Sequence, residues 1–319
     1  MPDTDKKSGN AKTQNLWRLI GDTPMIELRY CYRDGLVKKI LVKCEQYNLT
    51  HSIQDRSVLY ILQKAIEQGS LQPSDLIVEA ASGNTGVSIA AIGRALGHPV
   101  RLIMPDSTSL EQRGLIKSFN ADLQLVSSEE GGLMKCLEVA EELGKNRNVF
   151  LSRPFEERYG IEVHEKTTGR EIGHYLLLER LQPNAFVAGV NTGATITGVA
   201  KYLRTIYPQI KIHPLEPAEA VVDLRQLDRS INVHRDDAIL MAQALNSKLK
   251  LGVGISSGAN LLGAIKLQNE SKGEQMIITV FPDGDKVKAD VEPVSPDYIT
   301  PRVELLDYKV VANDREDRS

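Results

Sequence analysis

Cysteine, aromatic residues and long apolar runs are all scarce in this chain of 319 residues. Its three cysteines, Cys31, Cys44 and Cys136, are too few and too scattered for a disulfide framework or a zinc site, and their odd number suits a reducing compartment. No apolar run is long enough to span a bilayer, and the polar N-terminus lacks the apolar core of a signal peptide. These absences predict a cytoplasmic protein.

An excess of charge of one sign is also lacking, because 39 basic and 42 acidic residues give a formal net charge of -3. Such a balance creates no field that would gather nucleic acid or an anionic membrane, so the expected partners are small molecules or proteins. The six histidines are dispersed, with no spacing that brings two onto one helix face, and no metal site is predicted.

What the sequence does contain is an alternation of short β-rich runs and amphipathic helical stretches. The strand candidates are residues 38–45, 75–82, 100–105, 123–128, 185–190, 210–217 and 276–284, and the helix candidates are residues 56–68, 85–96, 110–119, 132–145 and 195–207. This order is typical of a mainly parallel sheet covered by helices on both faces. It predicts an α/β protein of three-layer domains with mainly parallel, twisted sheets.

Three glycine-rich turns, residues 81–86, 189–198 and 254–260, stand between a strand or loop and a helix. Each turn would direct backbone N–H groups towards an anion at the helix N-terminus. The alternative is conformational, since Asn84 or Thr85 would cap the helix that follows the first turn. One such turn by itself does not decide between an anion site and a helix cap.

Together with other segments, these turns resemble the cysteine synthase and cystathionine β-synthase family. The added segments are LIGDTPM (19–25), YNLTHSIQDR (47–56) and HEKTTGREI (164–172), and the order is collinear from about Trp17 to Asp290. The resemblance implies a fold-type II pyridoxal-phosphate (PLP) enzyme, similar to the tryptophan synthase β chain, with its cofactor in a cleft between two α/β domains and commonly a homodimer. Family members eliminate a β-substituent from serine-type amino acids, with PLP as the electron sink.

We predict a domain division on this basis. It consists of a flexible N-terminus over residues 1–16, a larger α/β domain over 17–46 and 156–305, a smaller α/β domain over 47–155, and a polar C-terminal tail over 306–319. Both ends of the chain are expected to fray because they are polar and have little to bury.

The family carries its Schiff-base lysine in a segment like SIKDR, and this chain has Gln54 at that position. An amide nitrogen cannot form an imine, so the covalent anchor and the base for the substrate α-proton are both missing. Lys43 is near in sequence but lies outside the motif, and it is not expected to take over this role.

The resemblance also assigns cofactor positions, which are vestigial here, and substrate positions. The cofactor positions are Asn84, Thr192, Gly193, Thr195, Gly254 and Gly284, and the substrate positions are Ser82, Gly83 and Thr85. Four of the family's residues are replaced, by Ala81 in the substrate loop, by Asn191 and Ala194 in the phosphate turn, and by Gly284 opposite the pyridine nitrogen. After Pro217 a segment that lines the family's cleft is missing, and a Gln expected near Phe155 is replaced as well.

These departures favour a degenerate, non-catalytic homologue of cysteine synthase that is kept for binding or regulation. One alternative is an active PLP enzyme of β-replacement or β-elimination acting on cysteine, serine or O-acetylserine, with PLP held noncovalently or by another lysine. A third is the capture of a peptide end, since the family accepts the C-terminal tail of serine acetyltransferase in its cleft and residues 82–85 retain groups that bind a carboxylate.

Overall fold

The computed structural model describes residues 11–33, 35–81, 83–216, 226–271, 275–284 and 298–312, with the backbone alone for residues 154–157. The chain forms two compact α/β units. Unit 1 comprises Met1–Ile20 and Gln54–Gly160, and unit 2 comprises Gly21–Ile53 and Ile161–Ser319. Among the described residues, no helix combines the length and the apolar character that crossing a bilayer requires.

The helices and strands follow one another through both units. In chain order they are α1 (11–17), β1 (Met25–Tyr32), β2 (Val37–Cys44), α2 (Gln54–Gln68), β3 (Leu76–Ala80), α3 (Asn84–Leu96), β4 (Val100–Pro105), α4 (Leu110–Ser118), β5 (Asp122–Val126), α5 (Gly132–Gly144), β6 (Val149–Leu151), α6 (Arg153–His164), a π-helical turn (Glu165–Gly169), α7 (Arg170–Leu178), β7 (Ala185–Ala188), α8 (Ala194–Ile206), β8 (Lys211–Glu216), β9 (Ile231–Asn232), α9 (Arg235–Leu249), α10 (Ile255–Glu270), β10 (Ile277–Phe281) and β11 (Val303–Ala312). The predicted α/β class is confirmed.

Unit 1 is built on a four-stranded parallel sheet in the order β5-β4-β3-β6. Its central strands are continuous apolar runs because helices cover both faces. On β3, Ile77 packs into one apolar cluster and Val78 into another, and both side chains are fully buried. The alternation of neighbouring residues between two clusters makes this unit three-layered.

Unit 2 contains a seven-stranded sheet in the order β11-β1-β2-β10-β7-β8-β9. The five strands β2, β10, β7, β8 and β9 are parallel to one another. Strand β1 runs antiparallel to both of its neighbours, β2 and β11. On β2, Ile40 and Val42 face a cluster that includes residues of α9 and α10, and Leu41 faces a cluster that includes residues of α7 and α8. This unit is therefore three-layered as well.

The division between the units differs from the predicted one at both junctions. The smaller unit begins at Gln54 rather than at residue 47, because Ile53 N donates to Pro282 O at 2.8 Å and Ser52 forms a bridge with Asp283 in unit 2. It ends at Gly160 rather than at residue 155, within the continuous helix α6. Hydrogen bonds between distant segments, which composition does not reveal, set the first of these limits.

The predictions for the chain ends need correction where the structure describes them. Residues 11–16, assigned to a flexible terminus, belong to helix α1, in which Leu16 is buried, and Trp17 Nε1 donates to Gln63 Oε1 at 2.7 Å. Residues 306–312, assigned to a polar tail, lie in β11. The charged residues of this edge strand hid it from the sequence prediction. They are compatible with a strand because, for example, Asp307 of β11 pairs with Arg29 of the neighbouring β1.

Candidate functional site

Gln54 is the first residue of α2, and its side chain is half-buried. It lines a cavity of about 10 Å³ in unit 1, together with Ser57, Thr85 and Ser152. That volume is close to the minimum that holds one water molecule. Val58, Ile61, Leu62 and Ile89 form the apolar part of its lining. The structure therefore brings the position of the family's lysine and one substrate position, Thr85, to the same small cavity of mixed polarity.

The turn before α3 is shaped by Gly83, which adopts a φ of 81° and occupies the N-cap position. The sequence predicted Asn84 or Thr85 as the cap, and this is wrong, because Asn84 is already the first residue of the helix. Gly83 adopts the backbone conformation of the N-cap residue and makes no side-chain cap bond. Asn84 and Thr85 are the first two residues of the helix itself. Ser82, the remaining substrate position, lies outside the described residues.

Lys43 on β2 does not provide an amine for a cofactor. Its side chain is 1% exposed, and its Nζ forms an ion pair of 2.7 Å with Glu171 Oε2 while donating to the backbone oxygen of Thr23. Removing a buried ammonium from its carboxylate leaves an uncompensated charge, which is strongly unfavourable. Lys43 is a structural residue of unit 2.

The turn before α8 holds Thr192, Gly193 and Thr195. Gly193 has a φ of 86°, a conformation that L-residues rarely adopt, which explains why a glycine stands there. Thr192 Oγ1 accepts from Ala194 N at 3.3 Å, and Thr195 Oγ1 lies 3.3 Å from Nε2 of the buried His164. These contacts stabilise the turn within unit 2. The turn leads directly into the N-terminus of α8, and a helix N-terminus is suited to binding an anion.

Gly254 and Gly284 are joined through neighbouring backbone groups of unit 2. Gly254 N donates to Asp283 O at 3.2 Å, and Gly284 N donates to His51 O at 2.9 Å. A Cβ at position 284 would lie 3.2 Å from His51 Cβ and 3.3 Å from Gly252 O, so a larger residue fits only if its neighbours move. This crowding disfavours any side chain that could face a pyridine nitrogen from this position.

Ser257 Oγ and Gln46 Oε1 are among the buried side-chain atoms that have no hydrogen-bond partner in the described part of the chain. Ser257 lies in the first turn of α10, and Gln46 Nε2 approaches Leu251 O at 3.5 Å. Buried polar atoms normally find a partner in protein, water or ligand. Unit 2 thus offers polar groups for a bound molecule, but position 54 supplies no amine. The residues present do not fit a PLP held as a Schiff base.

Metal and thiol chemistry find little support here. Among the residues that the structure describes, no three His, Cys, Asp or Glu side chains are grouped so as to hold a metal ion. Burial raises the pKa of the Cys44 thiol to about 12, and Cys136 also has a raised pKa for the same reason. These two thiols are poor nucleophiles in the folded protein.

Sequence reasoning missed three positioning residues, although the motifs that contain them were visible. His164 and Glu171 belong to HEKTTGREI, and Asn260 belongs to GISSGAN. Asn260 Oδ1 accepts from Gly189 N at 2.7 Å, and its Nδ2 donates to Val280 O at 2.7 Å, which joins β7 to β10. The partners of these three side chains are distant in sequence and can be identified only from the tertiary structure. The predicted departures after Pro217 and at Phe155 fall on residues 217–225 and on side chains 154–157, which lie outside the described parts.

The model of the family described as "Pyridoxal-phosphate dependent enzyme" matches residues 16–227. The chain is 33% identical to cysteine synthase from Staphylococcus aureus over 294 residues, an alignment covering 84% of this chain and 93% of that protein. It is likewise 33% identical to cysteine synthase from Aquifex aeolicus over 295 residues, covering 85% and 89% of the two chains.

Among solved structures, a hydrogen sulfide-producing enzyme from Fusobacterium nucleatum superposes with a TM-score of 0.86 at 38% sequence identity. The match covers 94% of this chain and 99% of that enzyme. This likeness extends over nearly the whole length of both chains. The chain therefore belongs to the family of pyridoxal-phosphate dependent enzymes and has cysteine synthases among its relatives.

Proposed function

We propose that this protein is a non-catalytic member of the cysteine synthase group that acts by binding or regulation. The observation that carries the proposal is Gln54, because the reaction of the family starts from a lysine amine at this position. The engagement of Lys43 by Glu171 supports it, since that amine is already neutralised in the interior of unit 2. The crowding at Gly284 supports it as well.

The proposed ligand carries a carboxylate or another anionic group. Asn84 and Thr85 begin α3 and Ala194 begins α8, neither helix has a side-chain N-cap bond, and the first backbone N–H groups of a helix are suited to an anion. An amino acid or the C-terminus of a peptide, including that of a serine acetyltransferase-like partner, has the matching charge. We further propose a homodimer in the cytoplasm, in which PLP is either lost or held only noncovalently.

The test compares the natural chain with Gln54→Lys and with Gln54→Met, a control of similar length that has no amine. Each protein is purified with PLP supplied, its absorbance spectrum is recorded, and the sample is reduced with borohydride before its intact mass is measured. We expect an aldimine band and the mass of one attached pyridoxyl group for Gln54→Lys only. An aldimine fixed to a lysine of the natural chain would contradict the proposal.

The alternative of an active PLP enzyme is favoured by the 38% identity to a hydrogen sulfide-producing enzyme. Sulfide release from cysteine, measured for the natural chain with PLP supplied, separates the two functions. The non-catalytic proposal expects release at the level of Gln54→Met. Release above that level, abolished when PLP is omitted, would establish the alternative.

Binding is tested independently of catalysis. Calorimetric titration of the full chain with a short peptide, and with the same peptide amidated at its C-terminus, measures the contribution of the free carboxylate. We expect the amidated peptide to bind at least tenfold more weakly. Equal affinities would contradict carboxylate capture, and light scattering in the same buffer measures whether the chain is a dimer.

A further inference from the structure

A cavity of about 530 Å³ lies at the edge of the unit 2 sheet where β7 and β8 begin. Ala185 and Lys211, the first residues of these two parallel strands, are part of its lining. The glycine turn before α8 follows the other end of β7, four residues or roughly 13 Å along the strand. The volume is typical of a small-molecule site. The cavity is therefore separate from the turns that the family uses for its cofactor.

His213 of β8 lines this cavity, although its side chain belongs to the buried part of the sheet and is only 6% exposed. Its Nδ1 lies 2.9 Å from the backbone oxygen of Arg229. Because a carbonyl oxygen can only accept, Nδ1 carries the hydrogen of the neutral ring, and Nε2 is left as an acceptor. Nε2 makes no hydrogen bond to any residue that the structure describes. Such an acceptor is expected to meet a donor from water or from a ligand.

The charged side chains that line the cavity are cations. They are Lys211 and Arg229, and no carboxylate occurs among the described lining residues. Lys211 pairs with Asp228 at 3.3 Å, but Arg204 shares that carboxylate at 3.6 Å, and Arg229 pairs with Glu270 at 2.5 Å. In these ion pairs three cations face two carboxylates, and exposed pairs of this kind are weak. The cavity wall therefore has positive charge available for an anion.

The remaining lining suits a small organic molecule. It includes the amide side chains of Asn184, Gln209 and Gln275 and the apolar side chains of Pro208 and Leu267. Amides supply both donors and acceptors, and apolar side chains cover a carbon skeleton. A few placed polar groups on a partly apolar wall are the usual composition of a metabolite site.

We propose that this cavity is a second binding site, which takes a small anion that also carries a hydrogen-bond donor. Lys211 and Arg229 attract the negative charge, and an O–H or N–H of the ligand donates to Nε2 of His213. Hydrogen phosphate and hydroxy acids both combine these two features. The proposal does not depend on the function proposed above, because its residues lie at the opposite edge of the sheet from the cofactor turns.

The test follows the histidine side-chain signals of the full chain, labelled with ¹³C- and ¹⁵N-histidine, by NMR at pH 8.0 with ionic strength held by chloride. Hydrogen phosphate is compared with sulfate, and malate with succinate, because each pair matches in charge but only the first member has a hydroxyl. We expect the His213 signal to shift and saturate with hydrogen phosphate, malate or both. Each active anion should bind about fivefold more tightly than its matched partner, as one hydrogen bond contributes. A response to malate alone identifies a carboxylate ligand, and a response to phosphate alone identifies a phosphate ligand.

Variants assign the signal and test the charge. His213→Asn keeps a donor for the Arg229 backbone oxygen but lacks Nε2, and the signal that it removes is that of His213. Lys211→Met should weaken binding at least threefold, and because Lys211 is exposed this variant tests the site even if His213→Asn is unstable. His174→Asn is the control, since His174 is exposed on α7 and its replacement should leave the titration unchanged.

Two outcomes would overturn the proposal. Equal affinities for hydrogen phosphate and sulfate, and for malate and succinate, would show that no ligand donor meets His213. A His213 signal that does not respond to any of the four anions would remove the site itself. An anion bound at the turn before α8 would instead shift the signal of His164, whose Nε2 lies 3.3 Å from Thr195 Oγ1, so the two sites are distinguished in one experiment.

Discussion

Residues 43–48 of unit 2 and the start of α2 in unit 1 are close in sequence, but only the first region contains a network of buried polar contacts that stabilises the fold. In the first region Lys43 is paired with Glu171, while Glu45 accepts from Thr23 Oγ1 at 2.7 Å and from Asn48 Nδ2 at 2.8 Å, all within the interior. In the second, Gln54 is half-buried beside a small cavity.

The contrast separates a structural lysine of this chain from the position at which the family carries its reactive lysine. Lys43 compensates a buried carboxylate and so holds β2 to α7, and losing it would leave a charge in the core. The lysine expected at position 54 serves chemistry, and an amide takes its place at the helix start without disturbing the fold. Residues that maintain the scaffold and residues that perform the reaction can therefore diverge independently.

The largest effect is expected from Lys43→Met, which removes the lysine that pairs with the mostly buried Glu171. We expect a loss of about 3 to 5 kcal/mol in the free energy of unfolding, measured by urea denaturation. Gln54→Met should cost less than about 1 kcal/mol, since it removes no buried ion pair. The double variant Lys43→Met/Glu171→Met should recover much of the lost stability. Equal stability losses for Lys43→Met and Gln54→Met would show that Lys43 is no more important to the fold than Gln54.

A second prediction concerns the contact between α9 and α10. A Cβ at Gly258 would overlap Ala238 O and lie 2.8 Å from Ala242 N, so Gly258→Ala forces two helix backbones apart. We expect a loss of about 3 kcal/mol in urea denaturation. Gly114→Ala is the matched control, because nothing lies within 4 Å of a Cβ there and the helix gains up to about 1 kcal/mol. A neutral Gly258→Ala would show that this packing is not a constraint.

Asn260→Ala should have an intermediate effect. It leaves Gly189 N and Val280 O without the side-chain partner that joins β7 to β10. Gly189 is exposed, but Val280 is buried, and an unsatisfied buried acceptor costs about 1 to 3 kcal/mol. We expect a loss of about 2 kcal/mol in the free energy of unfolding, measured by thermal and urea unfolding. Hydrogen exchange at Gly189 should also become faster. Unchanged exchange would indicate that the preceding strand holds the turn without Asn260.

The smallest effect on stability is expected from Ala194→Gly, at one of the two replaced positions of the turn before α8. Ala194 is the first residue of α8, where a glycine costs less than about 1 kcal/mol. Removing the Cβ gives an anion closer access to the backbone N–H groups, so sulfate affinity in dialysis should increase. A stability loss as large as that of Asn260→Ala would show that this position belongs to the scaffold.

Much of the fold could be predicted because it is local in sequence. Apolar runs bounded by glycine turns placed the strands, and the helix α2, predicted from residue 56, begins at Gln54. Strand β11 was missed because its edge position allows exposed charges such as Lys309. The cap of α3 was missed because a glycine backbone, rather than a side chain, adopts the required conformation.

The sequence by itself determined the α/β class, the family and the absence of an amine at position 54. Hydrophobic periodicity and motifs are formed by residues that are neighbours along the chain, so they can be recognised without the fold. The tertiary structure alone decided that Lys43 is engaged with Glu171, that Asn260 joins two strands, and that His164 reaches Thr195. These pairs are separated by 128, 71 and 31 residues, respectively. Contacts at such separations arise from packing, and no local pattern encodes which side chains meet.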